Sequence, residues 1–396
     1  MPYVPFHLFR ILLVALMIGA QVVIYRLSAK YVITQKSGIK HRGIYIASAL
    51  LVINLPSVLI HFRPDLFYHG LMRTYVMMPF YAYETFTVAV LLVWLIAVPI
   101  GMVTRWLRKV IDMSGKSDTS SSRRLFIRNT AMGLGAYTFI GSLHSIYTRD
   151  DYRIERVKLQ LKKLSPALTS LSILMISDVH AGMYMLEDDM LKYTEAINNL
   201  NPDVIFIPGD FVTSRTDEIY PFVKAFSGLK AKYGIYTCLG NHDFFADPDV
   251  ITDEIRKMGM QVLRNETEEL EWNGTKIMLS GVDDGRHANF KKVTYEASSL
   301  DTTRILLCHK PYFFETAAAG KFDLTLSGHT HGGQIVLFDA LGVKITPAAL
   351  ASPYVSGKYR MGDSLMYVSR GIGTVGLPVR VNCPPEITVF SLTQKT

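Results

Sequence analysis

Apolar positions follow two regimes along the chain. Before residue 148 they form long, nearly unbroken runs: Ile11–Tyr25, Gly43–Ile60, Ala82–Val103 and Thr130–Tyr147. A helix needs about 20 such residues to cross a bilayer. The pattern therefore predicts an all-α transmembrane region over residues 1–147, with about four spans at 11–25, 43–60, 82–103 and 130–147. Arg10 and Arg26 end the first run, where their long stems can reach the interface. Residues 148–166, charged and then Ser/Pro-containing, read as a linker.

After the linker the apolar runs become short, and each is closed by a polar or glycine-bearing turn. Leu171–Ser177, Asp203–Pro208 and Gly234–Leu239 read as strands, separated by helical spacing over Glu187–Asn199, Asp217–Leu229 and Asp249–Met258. Strand–helix alternation of this kind builds a parallel sheet. The pattern then changes. Glu268–Trp272 and Lys276–Val282 flank Asn273-Gly274, the signature of a type I′ hairpin. Arg304–Cys308, Asp323–Ser327, Leu365–Ser369 and Glu386–Leu392 supply further strands. Residues 167–396 are thus expected to form an α/β domain of two mixed sheets packed face to face, with helices outside.

Charge separates the same two halves. Residues 1–147 carry a net +11 and residues 148–396 a net −3, so the overall +8 belongs to the first half. A basic protein suits nucleic acid or a membrane surface. Here the basic residues flank apolar runs, which selects the bilayer as partner and excludes nucleic acid. Arg26–Arg42 holds five Lys and Arg and Arg105–Arg128 holds seven, whereas the segment between the second and third runs holds only Arg63 and Arg73. The positive-inside rule places both rich loops in the cytoplasm. The expectation is an integral membrane protein with its α/β domain on the extracytoplasmic side. Ser122-Arg123-Arg124-Leu125-Phe126-Ile127-Arg128 resembles a twin-arginine export motif and points the same way. Cys238, Cys308 and Cys383 form no CxxC pair, and the odd count argues against a disulfide scaffold.

The strand ends carry the chemistry. Asp178-Val179-His180, Gly209-Asp210, Gly240-Asn241-His242-Asp243, His309 and Gly328-His329-Thr330-His331 each follow a β-like run. A parallel sheet gathers such residues at one edge. Carboxylate, amide and imidazole donors together suit two divalent ions of Mn, Fe or Zn, rather than Ca or a Cys-bound zinc. Two such ions activate a water and stabilise both oxygens of an in-line displacement at phosphorus. Arg370 and Arg380, in Gly/Pro-rich loops, are candidates to clamp a substrate phosphate.

This motif series resembles that of the calcineurin-like metallophosphoesterases over Leu171–Leu392. Gly281-Val282-Asp283-Asp284 and the tail from Arg370 to Ile387 resemble its membrane-attached or exported bacterial branch. The resemblance implies a four-layer α/β/β/α sandwich with a dinuclear centre. It implies that Asp178, His180, Asp210 and His331 hold the first metal, with Asp210 bridging. Asn241, His309 and His329 would hold the second, and His242 would act on the phosphate as an acid or charge stabiliser. The function expected is a membrane-anchored phosphomonoesterase or phosphodiesterase, with a metal-bridging hydroxide attacking a lipid-linked or envelope substrate. The alternatives are a lipid pyrophosphatase of the UDP-diacylglucosamine type and a non-catalytic metal-binding membrane sensor. The oligomeric state is not legible.

Overall fold

The computed structural model describes residues 140–298, 302–340 and 343–394, with 72–88 and isolated positions before 140. It divides into two units, Met1–Tyr147 and Thr148–Thr396. In the first unit, a π-helix at Arg73–Met77 leads into helical residues 78–88. The buried amides of Gln21 and Asn54 exchange two hydrogen bonds of 3.2 and 2.7 Å. Most of the four expected spans lies outside the described residues. Among the described residues no helix is long and apolar enough to cross a membrane.

Among the described residues the second unit has fourteen strands in chain order: β1 (Arg153–Leu161), β2 (Ile173–Met175), β3 (Val204–Pro208), β4 (Ile235–Cys238), β5 (Gln261–Val262), β6 (Glu266–Trp272), β7 (Thr275–Gly281), β8 (Thr303–Leu307), β9 (Leu324–Ser327), β10 (Phe338–Ala340), β11 (Val343–Ile345), β12 (Gly357–Met361), β13 (Ser364–Val368) and β14 (Glu386–Gln394). Its α-helices are α1 (Glu187–Asn199), α2 (Ile219–Phe226), α3 (Asn241–Phe245), α4 (Pro248–Lys257), α5 (Phe290–Ala297) and α6 (Phe314–Ala319). One six-stranded sheet runs β1-β14-β2-β3-β4-β5 and the other β12-β13-β9-β8-β7-β6. Both are mixed. In the first, β14 is antiparallel to β2 and all other pairs are parallel; in the second, β6 and β12 are antiparallel edges on a parallel β13-β9-β8-β7 core.

Three apolar layers explain the stacking. Leu174, Ile205 and Ile207 pack with Met190, Ile197, Phe222 and Ile255 from α1, α2 and α4. The alternate residues Ile173, Met175 and Phe206 turn the other way and meet Trp272, Ile277, Leu279, Ile305 and Leu326 of the second sheet. Met278, Leu306 and Cys308 then pack under Val293 of α5 and Ala317 of α6. Helices, sheet, sheet and helices thus form four layers. The period of two in each strand sends side chains to both sides, so β2, β3 and β4 are buried throughout.

The Asn273-Gly274 turn forms as predicted, with φ of 47° and 72°, the two positive values that a type I′ turn requires. The linker reading needs correction. Residues 148–166 contain β1, paired in parallel with β14 from Arg153↔Glu386 to Leu161↔Gln394. Arg156, Lys158 and Gln160 alternate along it with Val157, Leu159 and Leu161, which face the inter-sheet core. This is how a charged edge strand guards against mispairing, and its charge density masked it as a linker.

Candidate metal centre

The seven expected ligands lie in turns that follow parallel strands. Asp178 and His180 follow β2, Asp210 follows β3, Asn241 and His242 open α3 after β4, His309 follows β8, and His329 and His331 follow β9. The first three of these strands belong to one sheet and the last two to the other, so the cluster spans both sheets at one edge.

The turns are tightly made. Asp178, His180, Asp210, His329 and His331 all have φ between 50° and 74°. The left-handed region costs a non-glycine residue roughly 1–2 kcal/mol, and it persists only where the surroundings enforce it. Asp243 supplies much of that enforcement. Its carboxylate accepts the backbone N–H groups of Gly240 (2.8 Å), Asp210 (2.9 Å), Phe211 (2.8 Å) and Val212 (3.3 Å). Two glycines then let the carboxylates approach. A Cβ on Gly240 would lie 2.2 Å from Asp210 Oδ1, and one on Gly328 would lie 2.2 Å from Asp178 Oδ2.

The donor atoms converge on two groups sharing one region. Asp178, His180 and His331 offer ligand atoms within 4.8 Å of one another, and so do Asp210, His309 and His329. The Nε2 atoms of His180 and His331 are 3.0 Å apart. Asp210 Oδ2 lies 3.5 Å from His180 Nε2 and 3.1 Å from His309 Nε2, between the two groups. Asp178 Oδ1 accepts from the His329 N–H at 2.7 Å and lies 3.7 Å from His331 Nε2. His309 Nδ1 donates to the Pro208 carbonyl at 2.8 Å, which directs its Nε2 toward Asp210. His242 donates from Nδ1 to the Thr213 carbonyl, and its backbone N–H donates to Asp210 Oδ1 at 2.8 Å. His242 also falls in a third trio with His180 and Asp210, so it too is within ligand reach.

Burial dominates the electrostatics of the bare protein. It pushes the Asp178 carboxyl up to about 6, with Asp210 adding to the rise and His309 opposing it. It lowers His180 and His329 to about 3 and holds His331 well below the ordinary imidazole value. Burial also works against a charged Asp210 and a charged His309. Their mutual attraction offsets this, keeping Asp210 well below the usual carboxylate range and lifting His309 to about 10.

This donor set fits divalent cations. His180 Nδ1, His331 Nδ1 and Asn241 Oδ1 are buried and lack a hydrogen-bond partner among the described residues. Buried polar atoms are normally paired, and these three offer lone pairs or N–H groups that the protein itself leaves unused.

Two expectations differ from the structure. Arg380 is buried and donates to the carbonyls of Cys383 (3.1 Å), Arg370 (2.9 Å), Gly371 (3.2 Å) and Gly373. Arg370 pairs with Glu155 (2.6 Å) and Glu386 (3.0 Å) and donates to the Pro384 carbonyl. Arg370 therefore ties its loop to β1 and β14, and Arg380 ties the loop at Cys383 to the one at Arg370–Gly373, instead of facing a substrate phosphate. Lys310, beside His309, is largely buried and pairs with Asp284 at 2.7 Å. The roles of Asp243 as turn clamp and of the Pro208 and Thr213 carbonyls as orienting acceptors were not foreseen. Asp243 at least lies inside a recognised motif, whereas a carbonyl leaves no trace in the residue pattern.

The family model described as calcineurin-like phosphoesterase matches residues 171–333. An uncharacterised metallophosphoesterase of Aquifex aeolicus is 30% identical over 274 residues, covering 67% of this chain and 98% of the relative. One from Bacillus subtilis is 30% identical over 283 residues, covering 68% and 97%. A transmembrane protein with metallophosphoesterase domain from Danio rerio is 27% identical over 306 residues, covering 73% and 68%. With the matched segment enclosing the whole ligand cluster, the chain belongs to the calcineurin-like metallophosphoesterases, hydrolases of phosphoric esters.

Proposed function

We propose that this chain is a membrane-attached phosphoester hydrolase that works with two divalent cations. Asp178, His180, Asp210 and His331 would hold one cation, and Asn241, His309 and His329, with Asp210 again, the other. The observation that carries the reading is the convergence of donors from five separate turns, with His180 and His331 nitrogens 3.0 Å apart and Asp210 between both groups. When bound, such a cation pair supplies an activated water and offsets charge on the phosphoryl oxygens.

The chain's own residues do the rest. The Thr213 carbonyl fixes the His242 ring through Nδ1, leaving Nε2 to donate to a phosphoryl or leaving-group oxygen. Asp243 holds the Asp210 turn, and Pro208 sets the His309 tautomer. In this reading residues 1–147 form the membrane region and Thr148–Thr396, β1 included, the catalytic domain. The loop charges put that domain outside the cytoplasm, and membrane attachment favours a phosphoester carried on a lipid or in the envelope. The Danio rerio relative is named as a transmembrane protein, which supports attachment. The full chain, purified with Mn²⁺, is expected to hydrolyse chromogenic phosphomonoesters or phosphodiesters, and a chelator should abolish this. Turnover that persists after cation removal, or none on any phosphoester, would overturn the reading.

A further inference from the structure

Three neighbouring parallel strands of the second sheet end in register. Gly281 of β7 stands opposite Leu307 of β8, and Leu307 opposite Leu326 of β9. Three positions beyond these residues come Asp284, Lys310 and His329. The turns stay bonded past the strands: the Val282 N–H donates to the Leu307 carbonyl at 3.2 Å, and the Gly328 N–H to the His309 carbonyl at 3.0 Å. A carboxylate, an ammonium and a metal-site imidazole thus follow one another along the edge that carries the candidate metal centre.

Lys310 is held in place there. Its Nζ donates to Asp284 Oδ2 at 2.7 Å and lies 5.9 Å from the centre of the Tyr312 ring. The side chain keeps 16% of its surface exposed, so it is neither sealed in the core nor free in solvent. An ammonium has three N–H donors. Asp284 takes one, and Tyr312, in reach as a second partner, still leaves one over. Lys310 also bears on the ligands: burial lowers His329 most, the charge of His309 next, and Lys310 adds to the fall. Arg380 acts likewise on His331, after burial and His180. Its terminal nitrogens, however, are spent on the carbonyls of Cys383, Arg370 and Gly371. Of these two cations, Lys310 is the one that keeps a donor for a ligand.

We infer that Lys310 binds the substrate by donating to a non-bridging phosphoryl oxygen, with Asp284 as its positioning residue, and that the site is therefore built for phosphomonoesters. The inference rests on the hydrolase reading above and deepens it by choosing between its two substrate classes. A phosphate group has four oxygens. The leaving oxygen faces His242 Nε2, and the Asp and His donors would hold a cation pair that takes up charge on two others. The remaining oxygen of a monoester is anionic and accepts strongly from an ammonium. In a diester that oxygen carries the second alcohol, so it accepts only weakly and the Lys310 donor goes unmet.

The test uses the full chain loaded with Mn²⁺, with inorganic phosphate as the monoester mimic and dimethyl phosphate as the diester mimic. Calorimetry on the parent should show phosphate binding more tightly than dimethyl phosphate. The double variant Lys310→Met/Asp284→Asn removes the ammonium without stranding a buried carboxylate. In it the Kd of phosphate should rise roughly 10- to 100-fold and that of dimethyl phosphate less than about threefold, with bound Mn²⁺ at the parent level. The ratio of kcat/KM on p-nitrophenyl phosphate to that on bis(p-nitrophenyl) phosphate should fall by a similar factor. Equal changes for both ligands, or none for phosphate, would overturn the inference. A variant that loses its Mn²⁺ would overturn it too, because Lys310 would then serve the metal site and not the substrate. A parent that binds dimethyl phosphate as tightly as phosphate sinks it without any variant. All of these leave ester turnover by the parent intact, whereas a parent that takes up no Mn²⁺ or turns over neither ester overturns the hydrolase reading and this inference with it.

Discussion

At the scale of the residue, His242 separates binding from turnover. Its ring is oriented by the Thr213 carbonyl yet lies in reach of the same space as His180 and Asp210. As an acid acting on the phosphate, His242→Ala should lower kcat by roughly 10²–10⁴-fold while metal content by plasma mass spectrometry stays at the parent level. A loss of bound metal would make His242 a ligand. The bare site also sets a pH dependence. Asp178 keeps its proton below about 6 and His309 below about 10. A cation needs both as bases, so its apparent affinity should strengthen as pH rises, and binding at neutral pH should release about one proton, from His309. Calorimetry in buffers of different ionisation enthalpy measures that release, and heats independent of the buffer would contradict it. The side chains of this site were readable because each carries its chemistry in its own identity. Arg370 and Arg380 were misread because a guanidinium suits a carbonyl cage as well as a phosphate, and only the fold places the carbonyls.

At the scale of the element, the Asp243 carboxylate joins α3 to the turn after β3 through four backbone N–H groups. Asp243→Ala would leave these buried donors without their acceptor, at about 1–3 kcal/mol for an unsatisfied group. The expected outcome is a destabilisation of about 3 kcal/mol together with weaker cation binding, because Asp210 loses the support for its left-handed turn. Denaturant unfolding and metal titration read the two effects separately, and normal metal affinity would show that the turn holds by itself. The elements of the first sheet were largely legible. α1 spans the predicted Glu187–Asn199, since its acidic first turn and apolar spacing agree, and β2, β3 and β4 are apolar runs of strand length. The predicted helix over Asp217–Leu229 is shorter, a 3-10 turn at Thr216–Glu218 followed by α2. α5 and α6 were not anticipated: at eight and six residues they are too short for helical periodicity to emerge.

At the scale of the whole molecule, cation binding should stabilise the folded state by mass action. At a hundredfold excess over Kd the gain is about 2.7 kcal/mol, so the melting temperature should rise with Mn²⁺ concentration and fall on chelation. A melting temperature indifferent to both would place no cation in the native site. The two-unit division at Tyr147 and Thr148 coincides with the change in apolar regime, because long runs and short runs bury themselves in different ways. Less legible was the partner of β1. β14 lies between β1 and β2, pairing Arg153 with Glu386, which stand 233 positions apart. Closing a loop of that length costs about 5 kcal/mol in chain entropy. The order of synthesis therefore matters. The first strand to leave the ribosome has no neighbour until nearly the last one follows it, and β2 exposes an open edge for the same interval. The first sheet cannot close until β14 has been made, and a truncation before Glu386 leaves the edges of β1 and β2 free to capture the wrong strand.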